Sequence, residues 1–409
     1  MDQSSYHIYQ QNLAFEKELN ILRNDFYYQL IDSQDITLVD FMYQPLDIIS
    51  GDAYTARRLS QHKTFYLIID GMGKGISASL TSMIMTTFIN HIIDKMIEYD
   101  SFSFDLLIRE SMEFIRPILL EEEAVAVDFI CFDAYFQKLY YAKFAMPYSL
   151  LQKNDKKIVK LKSNNPPLSK WTKKYEIDTY DVKDVVKFLF YSDGLVENKT
   201  KNSDVYAKYI DEDFKHSFTK EEFKAKLFEK LDTVEDDLTL IFLNKLSLED
   251  DNMIAKNEFA TKLNIVEEAN EWYSKIWESL SQDMTISVKA GIVFNELFMN
   301  AYEHGNLGID ATKKHLMLED DTYIDTLLEL EQSCSKYIKV EVYKVHNIYS
   351  EYIVTEIIDE GKGFDTQLLS TIFRNSQMFN GRGVFVSRKN SMGIYYNSKG
   401  NRVLFLNKI

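Results

Sequence analysis

The chain reads as an α+β protein of two domains behind an N-terminal amphipathic helix, and three patterns predict this. Apolar runs of strand length alternate with longer helical stretches between residues 35 and 246. A charged segment, SLEDDNMIAKN at residues 247–257, then breaks the pattern. A second set follows in which helical stretches lead to an alternating strand and a closing apolar strand, NRVLFL. The expected boundaries are residues 1–34 for the helix, 35–246 for the first domain, 247–256 for a linker and 257–409 for the second domain. A length of 409 residues suffices for two cores of ordinary size.

Composition narrows the function classes. Hydrophobic residues make up 45% of the chain and aromatic residues 14%, the balance of a globular protein and not of a disordered one. A formal charge of −16 argues against a nucleic-acid partner, because neutralising phosphates needs a basic face. The sequence contains no run of about eighteen apolar residues and its N-terminus is polar, so no membrane segment is expected and a cytoplasmic location is. Cys131 and Cys334 are the only cysteines, which implies buried thiols in a reducing compartment and no disulfide framework.

Taken in order, Phe15, Leu19, Leu22, Phe26 and Leu30 recur at helical spacing within residues 8–31, which lack Pro and Gly. Such a stripe packs on the following domain or pairs with its copy in a second chain as a short coiled coil. Residues 36–69 read as two strands, the first ending near Leu46 and the second starting near Phe65, with the SGDAY turn between them. Two helices are expected next, Ser77–Tyr99 with Leu80, Ile84, Phe88 and Ile92 on one face, and Phe104–Leu120 with Leu107, Phe114 and Ile118. VDFICFDAYF and LYYAKFAMPYSLL are strand-like and are separated by a short turn, residues 153–162 form a basic hairpin, and residues 199–231 are polar and helical.

The chemistry concentrates around FYLIIDGMGKGISASL. The apolar run Phe65–Ile69 ends in Asp70, and Gly71, Gly73 and Gly75 then allow backbone to come close to a ligand. Asp52 stands upstream in SGDAY, Asp193 follows the apolar run VVKFLFYS, and Asp236 and Asp237 precede the strand LTLIFL. Singly, each is an ordinary turn or cap residue. Together they form a hard, oxygen-only donor set suited to Mg²⁺ or Mn²⁺. GMGKG is not a Walker loop, and no zinc-type spacing of His or Cys occurs.

The order SGD, IIDGMGKG, FYSDGLVE, EDDLT resembles the metal-dependent protein phosphatases of the 2C type, in the branch of the bacterial stage II sporulation protein E and stress-response phosphatases. The resemblance covers residues 35–246 and implies a β-sandwich flanked by helices. It further implies that Asp52, Asp70, the carbonyl of Gly71, Asp193 and Asp236 hold two metal ions, with Asp70 and Asp193 at the centre of catalysis. Asp237 is a weaker ligand candidate, since only one side chain of an adjacent pair easily points into one site. Related phosphatases carry a regulatory helix that dimerises, which implies a homodimer through the N-terminal stripe. Where that family has Ala-Gly-His, this chain reads Phe144, Ala145, Met146, Pro147.

In the second domain Glu296, Asn300 and His304 recur at spacings of four and are expected on one helix face, either as a binding row or as a polar outer surface. The strand YIVTEIIDEGKGFD ends in Asp359 with Gly361 and Gly363, and Gly381 and Gly383 stand in NGRGVFVSRK. These boxes resemble the ATPase domain shared by histidine kinases, gyrase and the Hsp90 chaperone, nearest to the anti-sigma-factor serine kinases, over residues 257–409. The resemblance implies an α/β two-layer sandwich that binds ATP with Mg²⁺. Asn300 would hold the Mg²⁺, Glu296 would be the base, Asp359 would accept from the adenine amino group, and the four glycines would shape the phosphate lid, with His304 at a variable position. The stretch Leu307–Tyr337 is longer than that family requires and carries an acidic helix, either a partner surface or packing.

Together the resemblances imply a serine/threonine phosphatase in bacterial partner switching that dephosphorylates an anti-sigma-factor antagonist. The ATP-binding domain would act as an opposing serine kinase or an anti-sigma module, with a sigma factor or an upstream sensor as further partners. The alternative is an inactive scaffold that binds metal and nucleotide and switches partners. A sensor histidine kinase is disfavoured, because His7 lies just before the stripe and has no supporting context.

Overall fold

The computed structural model describes residues 13–14, 17–18, 21–25, 29–30, 35–46, 49–73, 75–347, 350–366, 387 and 389–409. The chain divides into two compact units, Met1–Phe26 with Val39–Lys245, and Tyr27–Leu38 with Leu246–Ile409.

The first unit is built on two antiparallel sheets. One has the order β2 (Asp35–Gln44), β12 (Leu238–Ser247), β11 (Val185–Tyr191), β7 (Ser149–Lys153) and β8 (Ile158–Leu161), and the short β1 (Gln29–Leu30) pairs with Ile36 and Thr37 at the start of β2, the part of that strand counted with the second unit. The other has the order β10 (Asp178–Asp181), β6 (Lys138–Phe144), β5 (Ala124–Asp133), β4 (Lys63–Gly71) and β3 (Asp52–Arg58), with β9 (Leu168–Ser169) beside β5. Their inner faces meet through aromatic side chains: Phe132 of β5 stands edge-on to Phe188 of β11 at 6.0 Å. The runs VVKFLFY and LTLIFL are buried almost throughout, as strands covered on both faces must be.

Helix α1 (Ile76–Glu98) lies against β3 and β4, and α2 (Phe104–Ile115) lies beside α1. The face that α1 buries is Ala78, Ser82, Met85, Ile89 and Ile93. The expected face is not the buried one: Leu80 is 58% exposed, and Ile84, Phe88 and Ile92 are only half-buried. Small side chains let a helix approach a sheet closely, so the Ala and Ser positions point inward, while Phe88 turns sideways to stack on Phe114 of α2 at 3.8 Å. α1 is the one helix among the described residues long and apolar enough to cross a membrane by length and composition, and it carries this buried face. On the other sheet, α4 (Ile210–Lys215) and α5 (Lys220–Lys230), after the single-turn α3 (Gly194–Glu197), cover Leu240 and Phe242 with Phe214, Phe223 and Leu227.

Three further expectations change. Residues 36–69 contain three strands and not two, because Asp52 opens a strand that pairs along its length with β4. The second strand-like pattern splits at Ala145, whose φ of 52° ends β6 before the chain enters β7 of the other sheet. The N-terminal stripe is not one helix: the described helical residues end at Ile21, Asn24 bridges to Ala56 beside β3, and Leu30 lies on β1. The open edge of β3 offers backbone partners that end the helix, with Asp25 N–H donating to Ala56 O and Ala56 N–H to Arg23 O, both at 2.9 Å. Phe15, Leu19 and Phe26 of the stripe, and His7, lie outside the described residues.

In the second unit β13 (Met253–Ala260), β14 (Tyr337–Asn347), β15 (Ser350–Asp359), β17 (Arg402–Lys408) and β16 (Gly393–Tyr396) form one antiparallel sheet in that order. Residues 253–256, expected in a structure-poor bridge, open β13, because their backbone pairs with β14. Helices α6 (Leu263–Leu280) and α7 (Met284–Asn300) cover one face of the sheet. Tyr273 stacks on Phe294 at 4.1 Å and shares a hydrogen bond of 2.9 Å with Thr355 of β15. The insertion forms α8 (Ala311–Glu319) and α9 (Tyr323–Gln332).

Between the sheets of the first unit, Asp128 of β5 and Lys143 of β6 form an ion pair with 1% exposure on each side, and Ser149 Oγ donates to Asp128 at 3.3 Å. Burial raises the Asp128 carboxyl and lowers the Lys143 amine. Removing one partner strands the other charge, so Lys143→Met is expected to cost about 3–5 kcal/mol, and Lys143→Met with Asp128→Leu much less. Chemical denaturation of the three proteins checks this.

Candidate functional site

Strand pairing brings the first two acids together. In the β3–β4 ladder Asp52 and Asp70 are register partners, although eighteen positions apart in the chain. Asp52 is buried and accepts from Ser192 Oγ at 2.6 Å, and Ser192 Oγ in turn accepts from Thr239 N–H at 3.3 Å. Asp193, next to Ser192, stands at the start of α3. Gly194 has no room for a side chain, since a Cβ there would lie 2.0 Å from Asp237 O and 3.2 Å from Asp236 Cβ. That contact sets the Asp193 turn directly against the Asp236–Asp237 turn.

Electrostatics reports the same gathering. Burial pushes the Asp52 carboxyl well above its usual range, and the charges of Asp237 and Asp193 add to this. Asp70 is pushed up to about 10, first by burial, then by Asp52 and Asp193, and by a hydrogen bond with Asp193 that needs a shared proton. Asp236 adds a smaller contribution.

The five acids are not equivalent. Asp237 accepts from Leu46 N–H at 2.6 Å through Oδ1 and from Gly51 N–H at 2.7 Å through Oδ2, which ties the segment before Asp52 to the turn before β12. Gly71 is held by its N–H donating to Gly51 O at 3.1 Å, and a Cβ at Gly71 would meet Ala78 O at 2.7 Å. Among the described residues no group of three or more His, Cys, Asp or Glu side chains is placed so that it could hold a metal ion as it stands, so the expected acids approach one another without forming a finished site. By its chemistry the donor set suits a divalent cation: it is all oxygen and mutually repulsive, and what raises Asp52 and Asp70 most is burial together with the neighbouring aspartates. Asp52, Asp70, Asp193, Asp236 and the Gly71 carbonyl are the groups that could hold it.

Ser192, Gly194 and Gly51 escaped the sequence reading. Each flanks an acid in SGD or YSDG, and that adjacency was the available signal.

In the second unit Glu296 and Asn300 are half-buried near the end of α7. His304 does not continue their row. Residues Ala301–Asn306 form a π-helical turn, whose wider spacing breaks the four-residue repeat, and His304 is exposed with Nδ1 against Ile309 O. Asp359, at the end of β15, is buried and accepts from Gly361 N–H at 2.8 Å, and burial pushes its carboxyl up to about 6. The π turn sets Gly305 against this carboxylate, so closely that a Cβ would lie 2.5 Å from Asp359 Cγ. Tyr396 is buried where Glu296 and Asp359 both raise its hydroxyl, after burial itself. Gly361 and Gly363 each have a packing reason to be glycine: added Cβ atoms would meet Gly305 O at 2.2 Å and Lys399 O at 1.8 Å. Gly381 and Gly383 lie outside the described residues.

The titration of the acid set carries a sign. A folded site that keeps a proton on Asp70 up to about pH 10, when the unfolded chain releases it near 4, loses stability as pH rises between those limits. The metal-free protein is expected to melt at a lower temperature at pH 9 than at pH 6. Asp70→Asn, which removes the repulsion, should stabilise the metal-free protein at pH 8 by about 1 kcal/mol or more. Calorimetry of both proteins with chelator present decides, and a variant no more stable than its parent would mean that the acids do not crowd one another.

Residues 60–245 match the family model described as stage II sporulation protein E (SpoIIE). No curated protein matches the chain. Among solved structures, the chain is similar to RsbX in complex with magnesium, with 18% identity, 54% of this chain and 100% of that chain covered, and a TM-score of 0.41. It is similar to the RsbU and RsbW domains of Rv1364c from Mycobacterium tuberculosis, with 13% identity, 91% and 94% covered, and a TM-score of 0.45. It is also similar to the SiaA-PP2C domain of Pseudomonas aeruginosa, with 16% identity, 60% and 99% covered, and a TM-score of 0.47. The stretch that resembles the SpoIIE family, residues 60–245, is thus the one that contains Asp70 and Asp193, with Asp52 just upstream of it.

Proposed function

We propose that the chain is a metal-dependent serine/threonine protein phosphatase whose second unit binds ATP. The observation that carries this reading is the set of acids from four separate segments gathered at Asp52 and Asp70, within a chain whose residues 60–245 match the SpoIIE family. When bound, Mn²⁺ or Mg²⁺ draws charge from a phosphoryl oxygen and makes water more acidic. The protein's part is to hold the site. Asp52, Asp70, Asp193, Asp236 and the Gly71 carbonyl supply the donors, and Ser192 orients Asp52 through its 2.6 Å hydrogen bond. Asp237 holds the Asp52 segment through the amides of Leu46 and Gly51. Asp70, flanked by Asp52 and Asp193, is the least replaceable residue.

In this reading the substrate is a phosphorylated anti-sigma-factor antagonist, the setting is the cytoplasm, and a sigma factor or upstream sensor takes part in the switching. The second unit would bind ATP with Asp359 as acceptor for the adenine amino group, Asn300 toward Mg²⁺ and Glu296 as the base of an opposing serine kinase or anti-sigma module. Gly361, Gly363, Gly381 and Gly383 belong to the same proposed site. Support for Asp359 is its burial beside Gly305 and Gly361, which leaves a polar acceptor in close-packed surroundings.

Phosphate release from a phosphoserine peptide in Mn²⁺ is expected for the parent, with a loss of at least about 100-fold in Asp70→Asn. Equal turnover by the variant would overturn the assignment. For the second unit, binding of a fluorescent ATP analogue with Mg²⁺ is expected, weakened by about 1–3 kcal/mol in Asp359→Ala. Equal affinity of parent and variant would remove Asp359 from the site.

A further inference from the structure

We propose that Glu18, far upstream of the acid motifs, is a positioning residue for the loop that carries Asp52; this rests on the reading of Asp52 as a cation ligand. Glu18 is completely buried in the first unit. Its Oε1 accepts from the Tyr43 hydroxyl and from Ser50 N–H, the latter at 3.0 Å. Its Oε2 has no hydrogen-bond partner. Burying a carboxylate without a counter-charge is costly, and a segment that merely covered the sheet would do so better with an apolar side chain.

Glu18 faces the loop that leads into β3. There Ser50 Oγ accepts from Asp52 N–H at 3.0 Å, and the Tyr43 hydroxyl stands 3.4 Å from Asp52 O. Asp237 takes the amides of Leu46 and Gly51 in the same loop. Two carboxylates from distant parts of the chain therefore hold the amides of Leu46, Ser50 and Gly51, and the Ser50 side chain holds that of Asp52. The backbone path into Asp52 is held by residues 18 and 237 together.

The segment bearing Glu18 is itself fixed. Asn90 Nδ2 donates to Ile21 O at 3.2 Å, Thr55 Oγ1 donates to Arg23 O at 2.9 Å, and Arg57 pairs with Asp25 at 3.1 Å. Displacing this segment would withdraw Glu18 and release its hold on the loop. Groups that orient metal ligands without touching the ion set affinity by about 10–100-fold when removed.

The test uses the full chain and compares Glu18→Ala, Glu18→Gln and Tyr43→Phe. Mn²⁺ binding is followed by calorimetric titration, loop order by amide hydrogen exchange without metal, and stability by thermal melting. Glu18→Ala is expected to weaken Mn²⁺ binding by about tenfold and to speed exchange at Leu46, Ser50, Gly51 and Asp52 while residues 124–144 exchange as in the parent. Glu18→Gln keeps a carbonyl acceptor and should recover most of the affinity, and Tyr43→Phe should fall between. A Glu18→Ala protein that binds Mn²⁺ like the parent, with unchanged exchange in the loop, overturns the proposal. If that variant does not fold, parent-like affinity and exchange in Tyr43→Phe overturn it instead. A parent that binds no Mn²⁺ defeats the cation-site reading itself, and the exchange data still decide whether Glu18 holds the loop.

Discussion

The arrangement of the first unit follows from like charges held close together. Asp52 and Asp70 oppose each other across one strand pair, and Asp193 and Asp236 add their fields. Left alone, such a cluster favours opening, because each carboxylate raises the cost of ionising the next. Much of the surrounding structure acts against that tendency: two stacked sheets fix β3 and β4 from behind, Ser192 bonds to Asp52, and the missing side chain of Gly194 lets two acid-bearing turns touch. A divalent cation held by Asp52, Asp70, Asp193 and Asp236 would relieve that repulsion, and a site strained by like charges is suited to binding one.

The same economy appears at Asp359. A single carboxylate is set into close-packed backbone by two glycines, Gly305 and Gly361, that approach it from different elements. The π-helical turn Ala301–Asn306 makes the first approach possible by rotating Gly305 away from the regular path of α7. The turn is itself braced: Glu303 accepts from Lys314 and Tyr323 of the insertion, and Asn306 Nδ2 donates to Thr261 Oγ1 at 2.7 Å. Lys314 and Tyr323 of the insertion α8–α9 thus brace that turn.

Much of the fold was legible in the chain. VVKFLFY, LTLIFL and YIVTEIID could only be strands, because runs of that length and composition are too apolar for loops and are bounded by turn residues. The helices α1 and α6 were visible from their length and apolar spacing, and α7 from the four-residue spacing of Glu296 and Asn300. The strand β3 was not, because SGDAYTARR carries turn residues and charges, and only its pairing with β4 and its cover by α1 make it a buried strand. The N-terminal stripe misled for the converse reason: its spacing is helical, but the edge of β3 captures residues 23–25.

By itself the sequence determined which residues could do chemistry: acids at strand ends beside glycines, a carboxylate closing an alternating strand, and an amide and an acid one helical turn apart. These are local properties, set by neighbours a few positions away. Tertiary structure decided which of them meet and in what state. The crowding of Asp52 with Asp70, the use of Asp237 as a latch on the amides of Leu46 and Gly51, the removal of His304 from its row and the burial of Glu18 behind the Asp52 loop all depend on contacts across many residues of chain. Burial and proximity shift a carboxylate far more than its own sequence context does, and both exist only once the chain has folded.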